Sequence, residues 1–235
     1  MKVGIIAAGR GERLRPGGWL QPKPLVPVGG KPLIDYALEA VTVAGLHEIA
    51  CIVNEESRGV AEHCRSRWPA LRFEFVQRST PSSMESLFAL RPLLAARRFV
   101  LLTVDAVFAP AVLPRFLRAG GGRADADGVL AVHGFVDDEK PLWVQLAGGR
   151  RITAIGRGAK DSGLVTAGFY AFEPVIFAEI DAARRLQLSA LREFLGHLLA
   201  RGYRLYGERV PKTVDVDRPE DITVAEAFVR NGFER

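Results

Sequence analysis

Apolar runs and helix-compatible segments alternate along the first half of the chain. Residues 3–7, 48–53 and 98–104 are dominated by hydrophobic side chains, which is typical of strands buried on both faces. The segments between them have helix-like patterns, and a proline falls in the first turn of the earliest one. The pattern predicts a further strand over 72–77 and helices over 32–43, 57–68 and 83–94. This order indicates a parallel sheet covered by helices on both faces.

The pattern changes after residue 119, where three consecutive glycines predict a loop. Short apolar runs then follow with no long helical segment between them, which favours antiparallel pairing. These runs cover 129–133, 142–146, 151–155 and 165–172. The remaining pattern predicts a helix over 188–200, a strand over 203–208 and a closing helix over 219–230. We expect a single α/β domain over 1–235.

Composition and charge exclude several classes of protein. The chain has 235 residues, 48% of them hydrophobic, which is enough to bury a core. Its net charge of +5 is not gathered into basic runs with interleaved aromatic residues, so no nucleic-acid partner is expected. No apolar stretch approaches a membrane span, and the amino-terminal strand lacks the layout of a signal peptide. The two cysteines, Cys51 and Cys64, suit a reducing compartment, so we expect a cytoplasmic protein.

A turn rich in small residues follows the first strand. It is formed by Ala7, Ala8, Gly9 and Gly11. Glycines at this place let backbone N–H groups approach phosphate oxygens. Arg13 adds a planar guanidinium that suits bidentate phosphate contacts, and Lys23, within a Pro-Lys-Pro segment, adds a compact positive charge. As a loop residue, Lys23 is expected to matter little to folding.

Two common phosphate-binding motifs do not fit this turn. The dinucleotide fingerprint requires a third glycine at the position of Leu14. A P-loop requires serine or threonine after Gly-Lys, but Pro32 follows Gly30 and Lys31. A glycine turn alone is often only a tight connection between a strand and a helix. Its combination with the arginine and the Pro-Lys-Pro segment makes a triphosphate site the more specific interpretation.

The Ala-Ala-Gly-x-Gly-x-Arg-Leu segment over 7–14, followed by Pro-Lys-Pro-Leu over 22–25, resembles the signature of the sugar-phosphate nucleotidyltransferases. These are uridylyl-, guanylyl-, thymidylyl- and cytidylyltransferases with a Rossmann-like nucleotide fold. The resemblance implies a three-layer α/β sandwich around a mostly parallel mixed sheet, with a small antiparallel extension on the substrate side. It implies a nucleotide-binding half over about 1–120 and a substrate-binding half over about 121–235. It also assigns catalytic contacts with the triphosphate to Arg13 and Lys23.

Two aspartates match metal-binding positions of that family, and a third, Asp217, stands where glycine is common in the family. Asp105 ends a buried strand, where the family usually has Asn-Gly-Asp and its aspartate binds Mg²⁺. Thr103 and Val104 replace the first two positions here, so only the metal role carries over. Near the carboxyl terminus, Asp215 has the register of the family's second magnesium ligand, while Asp217 stands where related cytidylyltransferases also carry aspartate. Residues two apart on a strand face the same side, so spacing alone does not choose between them.

The expected substrate contacts match the family less strongly. Gly168 and Tyr170 resemble its Gly-Ile-Tyr strand, where the glycine lets the sugar pack against the backbone. Residues 139–141, Glu-Lys-Pro, mimic a family motif but lie too early in the chain, so we interpret them as a turn. Lys160, on the loop before the strand, is therefore the candidate for the substrate phosphate.

Other features resemble bacterial choline-phosphate and phosphonate cytidylyltransferases. They are the Ser-Met-Glu-Ser-Leu stretch over 83–87 and the Trp-Val pair that begins at Trp143. Trp143 is accordingly a candidate substrate contact. Contacts with the nucleotide base are expected at Gln77, Ser82 and Ser83.

The resemblance implies a magnesium-dependent transfer of a nucleotide from an NTP to a small phosphorylated substrate, with release of pyrophosphate. A sugar 1-phosphate is the leading substrate. The cytidylyltransferase features leave open a CTP-dependent reaction with phosphocholine, a phosphonate or a polyol phosphate. No membrane insertion is expected, and the protein is expected to be a monomer or a homodimer.

Two other functions share some of these residues. A nucleotidyltransferase that modifies a cofactor such as molybdopterin has the glycine loop and the lysine, but the longer segment over 22–28 and the Gly-Phe-Tyr strand count against it. A regulatory protein that binds nucleotide at a degenerate site is the non-enzymatic alternative, because the segment before Asp105 departs from the family. Retention of Arg13, Lys23 and the aspartates favours activity.

Overall fold

The computed structural model describes residues 1–121, 123–135 and 141–234. Its strands are, in chain order, β1 (Lys2–Ala7), β2 (Pro27–Val28), β3 (Lys31–Pro32), β4 (Glu48–Val53), β5 (Arg72–Gln77), β6 (Phe99–Thr103), β7 (Ala106–Val107), β8 (Gly128–His133), β9 (Val144–Leu146), β10 (Ile152–Ile155), β11 (Val165–Phe172), β12 (Leu205–Arg209) and β13 (Val214–Asp215). Its α-helices are α1 (Leu33–Val43), α2 (Arg58–Arg67), α3 (Ser83–Ala89), α4 (Arg91–Leu94), α5 (Val112–Phe116), α6 (Ile180–Arg185), α7 (Leu191–Ala200) and α8 (Pro219–Arg230). No helix in these three segments is long and apolar enough to cross a membrane.

Seven of these strands form a central sheet in the order β12-β8-β11-β6-β1-β4-β5. Neighbouring strands are parallel except at β11, which is antiparallel to both β6 and β8. This mostly parallel mixed sheet confirms the predicted fold class. The chain continues from β1 to β4 on one side and later returns to β6 on the other. In sheets of this kind, ligands bind outside the carboxyl ends of the strands where the strand order reverses.

Alternate residues of β1 face opposite sides of the sheet. Val3 and Ile5 pack with α1, α2 and α5, whereas Ile6 packs with α3, α4, α6 and α7. A third apolar cluster joins α8 to the segment after β1 through Leu14. Helices therefore cover both faces of the sheet, which makes the three layers expected from the pattern.

Some elements differ from those predicted. The helix expected over 83–94 is divided into α3 and α4, with a proline in the first turn of α4. The 3₁₀ helix Pro174–Glu179 and α6, which cover the sheet after β11, were not predicted. The antiparallel pairing of β9 with β10 is confirmed.

A short strand pair attaches the carboxyl-terminal segment to the end of β6. β7 and β13 pair antiparallel, with Asp215 opposite Ala106 and Val214 opposite Val107. The N–H of Val216 also donates to the carbonyl of Asp105 at 3.0 Å. This pairing brings residues that are more than a hundred positions apart to the carboxyl end of the sheet.

Candidate functional site

The loop after β1 lies over the side chain of Lys23. Ala7 ends β1 and Ala8 follows it; both are buried, whereas Gly9 is exposed. Gly11 has a left-handed φ of +64°, and a Cβ added to it would lie 3.0 Å from Lys23 Cβ. Another residue at this position would be strained by the backbone and crowded by the lysine. Glycine therefore lets the loop cover the lysine closely.

Lys23 is buried between two carboxylates. It opens a short 3₁₀ helix, Lys23–Leu25, and is 6% exposed. Its Nζ donates to Asp105 Oδ2 at 2.8 Å and to Asp217 Oδ1 at 2.5 Å. Burial alone would lower the pKa of Lys23, but the two carboxylates raise it above its ordinary value, so the ammonium stays charged. The prediction of a loop charge that matters little to folding was therefore wrong.

Asp105 lies just beyond the carboxyl end of β6. Burial acts to raise the pKa of Asp105, but the Lys23 ammonium, which donates to this carboxylate, lowers it below its ordinary value. The carboxylate is therefore ionised at neutral pH. It shares one ammonium group with Asp217, so the two carboxylates are close together.

Asp217 lies between the two cationic side chains that were predicted to bind phosphate. Its Oδ1 accepts from Lys23, and its Oδ2 is 3.6 Å from Arg13 Nη1. The N–H groups of Asp217 and Arg218 both donate to Asp221 Oδ2, at 2.8 and 2.7 Å. These bonds hold the backbone at the start of α8. The position of Asp217 is therefore fixed both by its backbone and by the contacts of its carboxylate with Lys23 and Arg13.

Asp215 lies beside a glycine bulge in β11. Gly168 has φ of +77°, and a Cβ added to it would lie 2.7 Å from Ala106 Cβ and 2.8 Å from Thr103 Oγ1. The same point is 3.6 Å from Asp215 Oδ1. The pairing of β11 with β8 shifts register here, as expected at a bulge. The bulge gives Asp215 room next to the strand that was predicted to bind substrate.

Replacing Gly168 with alanine should lower the free energy of unfolding by about 2–4 kcal/mol, because it adds both backbone strain and a steric clash. Chemical denaturation measures this change. Gly158→Ala is the matched control, since its added Cβ would meet no atom within 4 Å and its φ is not left-handed. Similar small effects of both substitutions would show that the bulge tolerates a side chain.

The three aspartates and Arg13 border a cavity of about 220 Å³. The predicted site residues that line it are Arg13, Ser83, Asp105, Gly168, Tyr170, Asp215 and Asp217. Burial raises the pKa of Tyr170, so its phenol stays protonated. The cavity thus places a cluster of charged groups next to a neutral wall formed by β11.

The residues predicted to contact the base have structural partners. Gln77 ends the edge strand β5, and its amide donates to the Glu55 carbonyl at 3.2 Å. Ser82 is the N-cap of α3, where its hydroxyl accepts from the N–H of Glu85 at 3.2 Å. Ser83 Oγ accepts from the N–H that begins α7, also at 3.2 Å. Of these three predicted residues, Ser83 is the one that lines the cavity.

Two predicted substrate contacts, Trp143 and Lys160, are not among the residues that line the cavity. Trp143 forms an isolated bridge with Val165. Lys160 is exposed on the 3₁₀ helix Arg157–Ser162. Neither belongs to the cavity lining within the described segments. The predicted turn includes Glu139 and Lys140, which lie outside the described residues.

Other cavity residues carried no functional signal in the sequence. They include His133, Thr166, Arg192, Thr213 and Asp221. His133 ends a buried apolar run, and Arg192 has the pattern of a solvated helical charge. The sheet order and the β7–β13 pair bring them together, and neither feature is visible as a local pattern.

The acidic residues fit a cation that is only partly held by protein. Within the described segments, no group of three or more His, Cys, Asp or Glu side chains is arranged to hold a metal ion. Asp105 and Asp217 nevertheless converge on one positive charge, that of Lys23. Mg²⁺ is commonly bound by one or two carboxylates together with substrate phosphates. The donor set is therefore compatible with Mg²⁺.

Comparison with known proteins identifies related sequences. The family model described as the MobA-like NTP transferase domain matches residues 3–205. CMP-5'-(3-aminopropyl)phosphonate synthase of Streptomyces rubellomurinus is 33% identical over 158 residues, which cover 58% of this chain and 24% of that protein. Glucose-1-phosphate thymidylyltransferase of Actinoplanes sp. is 34% identical over 87 residues, which cover 36% of this chain and 28% of that protein. The chain thus matches less than a third of the length of either relative.

The fold is also similar to that of solved structures. The inositol-1-phosphate CTP transferase from T. maritima superposes with a TM-score of 0.83 and 18% identity. The superposition covers 100% of this chain and 98% of that chain. At this identity, the similarity shows the fold alone.

Proposed function

Because the chain belongs to the MobA-like NTP transferase domain family, we propose that it transfers a nucleotidyl group from an NTP to a small phosphorylated acceptor and releases pyrophosphate. The observation that carries this proposal is the buried Lys23 ammonium between Asp105 and Asp217. The glycine loop covers this cluster, and the cavity adjoins it. Positive charge for phosphate and carboxylates for a cation thus meet at the carboxyl end of the sheet, as a magnesium triphosphate requires.

A sugar 1-phosphate is the leading acceptor. The named activity of the Actinoplanes relative, a glucose-1-phosphate thymidylyltransferase, supports this choice. The Streptomyces relative is named for a phosphonate and a cytidylyl product, which supports CTP-dependent transfer to phosphocholine, a phosphonate or a polyol phosphate as the second candidate.

The proposed reaction is an in-line displacement at the α-phosphorus of the NTP. An oxygen of the acceptor's phosphate forms the new bond to this phosphorus. The bond to the bridging β-phosphate oxygen breaks, and its electron pair leaves with pyrophosphate. The attacking oxygen is already anionic, so the reaction requires no protein nucleophile and no general base. The chain contributes alignment and charge neutralisation.

The glycine residues and the cationic residues have different roles in binding the triphosphate and neutralising its charge. Backbone N–H groups at Gly9 and Gly11 are suited to bind the triphosphate oxygens. Arg13 borders the cavity and is more than half exposed, so its guanidinium can reach phosphate oxygens. Lys23 supplies a fixed charge near the leaving pyrophosphate, where negative charge develops.

The metal role is proposed for Asp105 together with Asp217. Both carboxylates share the Lys23 ammonium, whereas Asp215 lies beside Gly168. The geometry therefore favours Asp217 over Asp215, which reverses the order that the sequence register predicts. Bound Mg²⁺ would add positive charge beside the triphosphate oxygens, and the two carboxylates would fix its place.

Removing divalent cations should abolish turnover. Without a metal cation between the triphosphate and these two carboxylates, the negative charges of the carboxylates and the triphosphate would repel each other. Pyrophosphate release measured in excess EDTA should fall to the background rate and recover when Mg²⁺ is added back. Undiminished turnover in EDTA would contradict the metal role of the aspartates.

A matrix of four NTPs against glucose, inositol and choline phosphates and an aminoalkyl phosphonate tests the function. We expect pyrophosphate release to depend on both an NTP and one class of acceptor. Tight nucleotide binding without pyrophosphate release from any pair would instead support the degenerate regulatory protein. A molybdopterin-type cofactor is added to the panel as a further acceptor, and activity with that acceptor alone would support the cofactor-modifying alternative.

We further propose that residues of about 1–120 bind the nucleotide and residues of about 121–235 bind the acceptor, as halves of one domain. The family match crosses both halves, which supports their being parts of one domain. A cytoplasmic location remains a prediction that rests on the free thiols of Cys51 and Cys64. The choice between monomer and homodimer also remains a prediction.

A further inference from the structure

The Lys23 ammonium pairs with both carboxylates that are proposed to bind the metal. Its Nζ lies 2.8 Å from Asp105 Oδ2 and 2.5 Å from Asp217 Oδ1. The other oxygen of Asp217, Oδ2, lies 3.6 Å from Arg13 Nη1. Two negative charges are thus matched by two positive charges. This group of four side chains, which we call the charge cluster, has no net charge in the free chain.

A neutral charge cluster has little attraction for a further cation. Mg²⁺ binds carboxylate oxygens at about 2.0–2.1 Å, so an ion that bridged Asp105 and Asp217 would lie close to the Lys23 ammonium. The Lys23 side chain is only 8% exposed, so water and salt screen the repulsion between the two positive charges weakly. The cation and the ammonium therefore compete for the same two carboxylates.

The glycine loop lies along the stem of Lys23. A Cβ added to Gly11 would lie 3.0 Å from Lys23 Cβ, and one added to Gly9 would lie 4.0 Å from Lys23 Cδ. The loop therefore follows the lysine from its backbone towards its ammonium. A triphosphate bound by the N–H groups of this loop would lie near the ammonium while the stem stays in place. Rotation about the last bonds of the side chain is then enough to turn the charge from the carboxylates to phosphate oxygens.

We propose that Lys23 exchanges partners when nucleotide binds: it neutralises Asp105 and Asp217 in the free chain and turns to the triphosphate in the complex, which leaves the two carboxylates to a divalent cation. This inference rests on the proposed function and adds a control of metal binding to it. The free chain then binds divalent cations weakly, and nucleotide and cation bind cooperatively. By linkage, each raises the affinity for the other by the same factor.

An ion pair with a purely structural role gives a different expectation. If Lys23 stayed between Asp105 and Asp217 in the nucleotide complex, a cation on the triphosphate would have no contact with either carboxylate. The exchange instead makes these carboxylates available when nucleotide is bound. The metal affinity should therefore depend on Asp217 in the nucleotide complex.

Binding of Mn²⁺ to the free chain tests the first half of the exchange. Mn²⁺ prefers the same oxygen ligands as Mg²⁺, and electron paramagnetic resonance measures its unbound fraction. Lys23→Met removes the charge and keeps the apolar stem, so it should bind Mn²⁺ about 10-fold or more tightly than the wild-type chain. Adding Asp217→Asn to Lys23→Met should remove this increase. Lys31→Met is the matched control, because it removes a lysine that lies 2.5 Å from Glu39, and it should bind Mn²⁺ like the wild-type chain.

Binding of Mn²⁺ in the presence of nucleotide tests the second half. We would repeat the titrations with the α,β-methylene analogues of ATP, CTP, GTP and UTP, and correct for the Mn²⁺ that each analogue binds in solution. At least one analogue should raise the Mn²⁺ affinity of the wild-type chain about 10-fold or more. Asp217→Asn should remove most of this increase. Asp125→Asn, whose parent carboxylate pairs with Arg123, should retain it.

Thermal unfolding keeps the test decisive if Lys23→Met is unstable. A ligand that binds only the folded chain raises its melting temperature. Mn²⁺ should therefore raise the melting temperature of Lys23→Met and leave that of the wild-type chain nearly unchanged. Lys23→Gln is a second variant without the charge and should behave in the same way. The comparison of the wild-type chain with Asp217→Asn in the presence of nucleotide requires neither Lys23 variant.

The outcomes distinguish the exchange from the proposed function. It would be overturned by equal Mn²⁺ affinities of the free wild-type chain and the Lys23 variants, or by an increase that Asp217→Asn leaves in place. A Mn²⁺ affinity of the nucleotide complex that does not depend on Asp217, or no binding of any analogue, would also overturn it. These measurements require no acceptor. The expected pattern without pyrophosphate release from any pair of NTP and acceptor would therefore contradict the transferase function and leave the exchange standing.

Discussion

Lys23→Met should lower the rate of pyrophosphate release by about 100-fold or more. The substitution keeps the apolar stem under the glycine loop and removes the charge that lies between Asp105 and Asp217. Removing one preorganised group that stabilises developing charge typically costs about 10²–10³ in kcat. The measurement is pyrophosphate release at saturating NTP and acceptor.

Folding and catalysis must be separated in this variant. Lys23 neutralises two carboxylates, so its loss should also lower the melting temperature. Rates should therefore be measured well below the melting temperature of the variant. Lys31→Met is the matched control, because it removes a lysine that is 2.5 Å from Glu39 in a more exposed pair. Equal rates for both variants and the parent would mean that the Lys23 charge has no part in the reaction.

Asp217→Asn should be more damaging than Asp215→Asn. Asp217 shares the Lys23 ammonium with Asp105, and a neutral amide binds Mg²⁺ poorly. We expect a loss of about 100-fold or more for Asp217→Asn. Asp215→Asn should lose about 10-fold, as is typical when a neighbouring group supports a ligand. Titration of Mg²⁺ against the rate of each variant measures the metal requirement, which should rise clearly for Asp217→Asn.

If Asp215→Asn were the more damaging variant, the assignment of the second metal ligand would change. A raised Mg²⁺ requirement in Asp215→Asn alone would support the family register over the geometry. Unchanged requirements in both variants would show that the second carboxylate of the metal site lies elsewhere. Asp125→Asn is a suitable control, because this aspartate pairs with Arg123 away from the cavity-lining residues.

The central strands could be predicted because burial on both faces leaves a continuous apolar run. β1, β4 and β6 are of this kind, and their order in the chain implied the parallel sheet. The pair formed by β7 and β13 could not be predicted in this way. Each strand has two residues, which is too short for any periodicity to show. That pair nevertheless decides which aspartates meet.

The site could be predicted where the local sequence determines the position of a residue. It was harder to predict where contacts between distant parts of the chain determine that position. Gly11 and Arg13 follow a recognisable strand, so their place at its end could be expected. The burial of Lys23 depends on carboxylates far away in the chain. Ser82 was expected at the base, although the Ser-x-x-Glu spacing to Glu85 already indicates the helix cap that the structure shows.

His133 and Thr213, two residues that line the cavity, show the same limit. His133 ends an apolar strand, so it has the pattern of a core residue. Thr213 lies in a short segment without periodicity between β12 and β13. Their common cavity arises because β8 is the neighbour of β12 in the sheet. Such side chains become candidates only when the strand order is known.

The most direct test of nucleotidyl transfer is the mass of the product formed from one NTP and one acceptor. The wild-type chain should yield a compound in which the NMP is joined to the intact acceptor phosphate, with one pyrophosphate released for each molecule formed. The rates at which the product and the pyrophosphate form should fall together in Lys23→Met. Pyrophosphate or phosphate release with no coupled product, or with a free nucleotide as the only product, would contradict transfer to a phosphorylated acceptor.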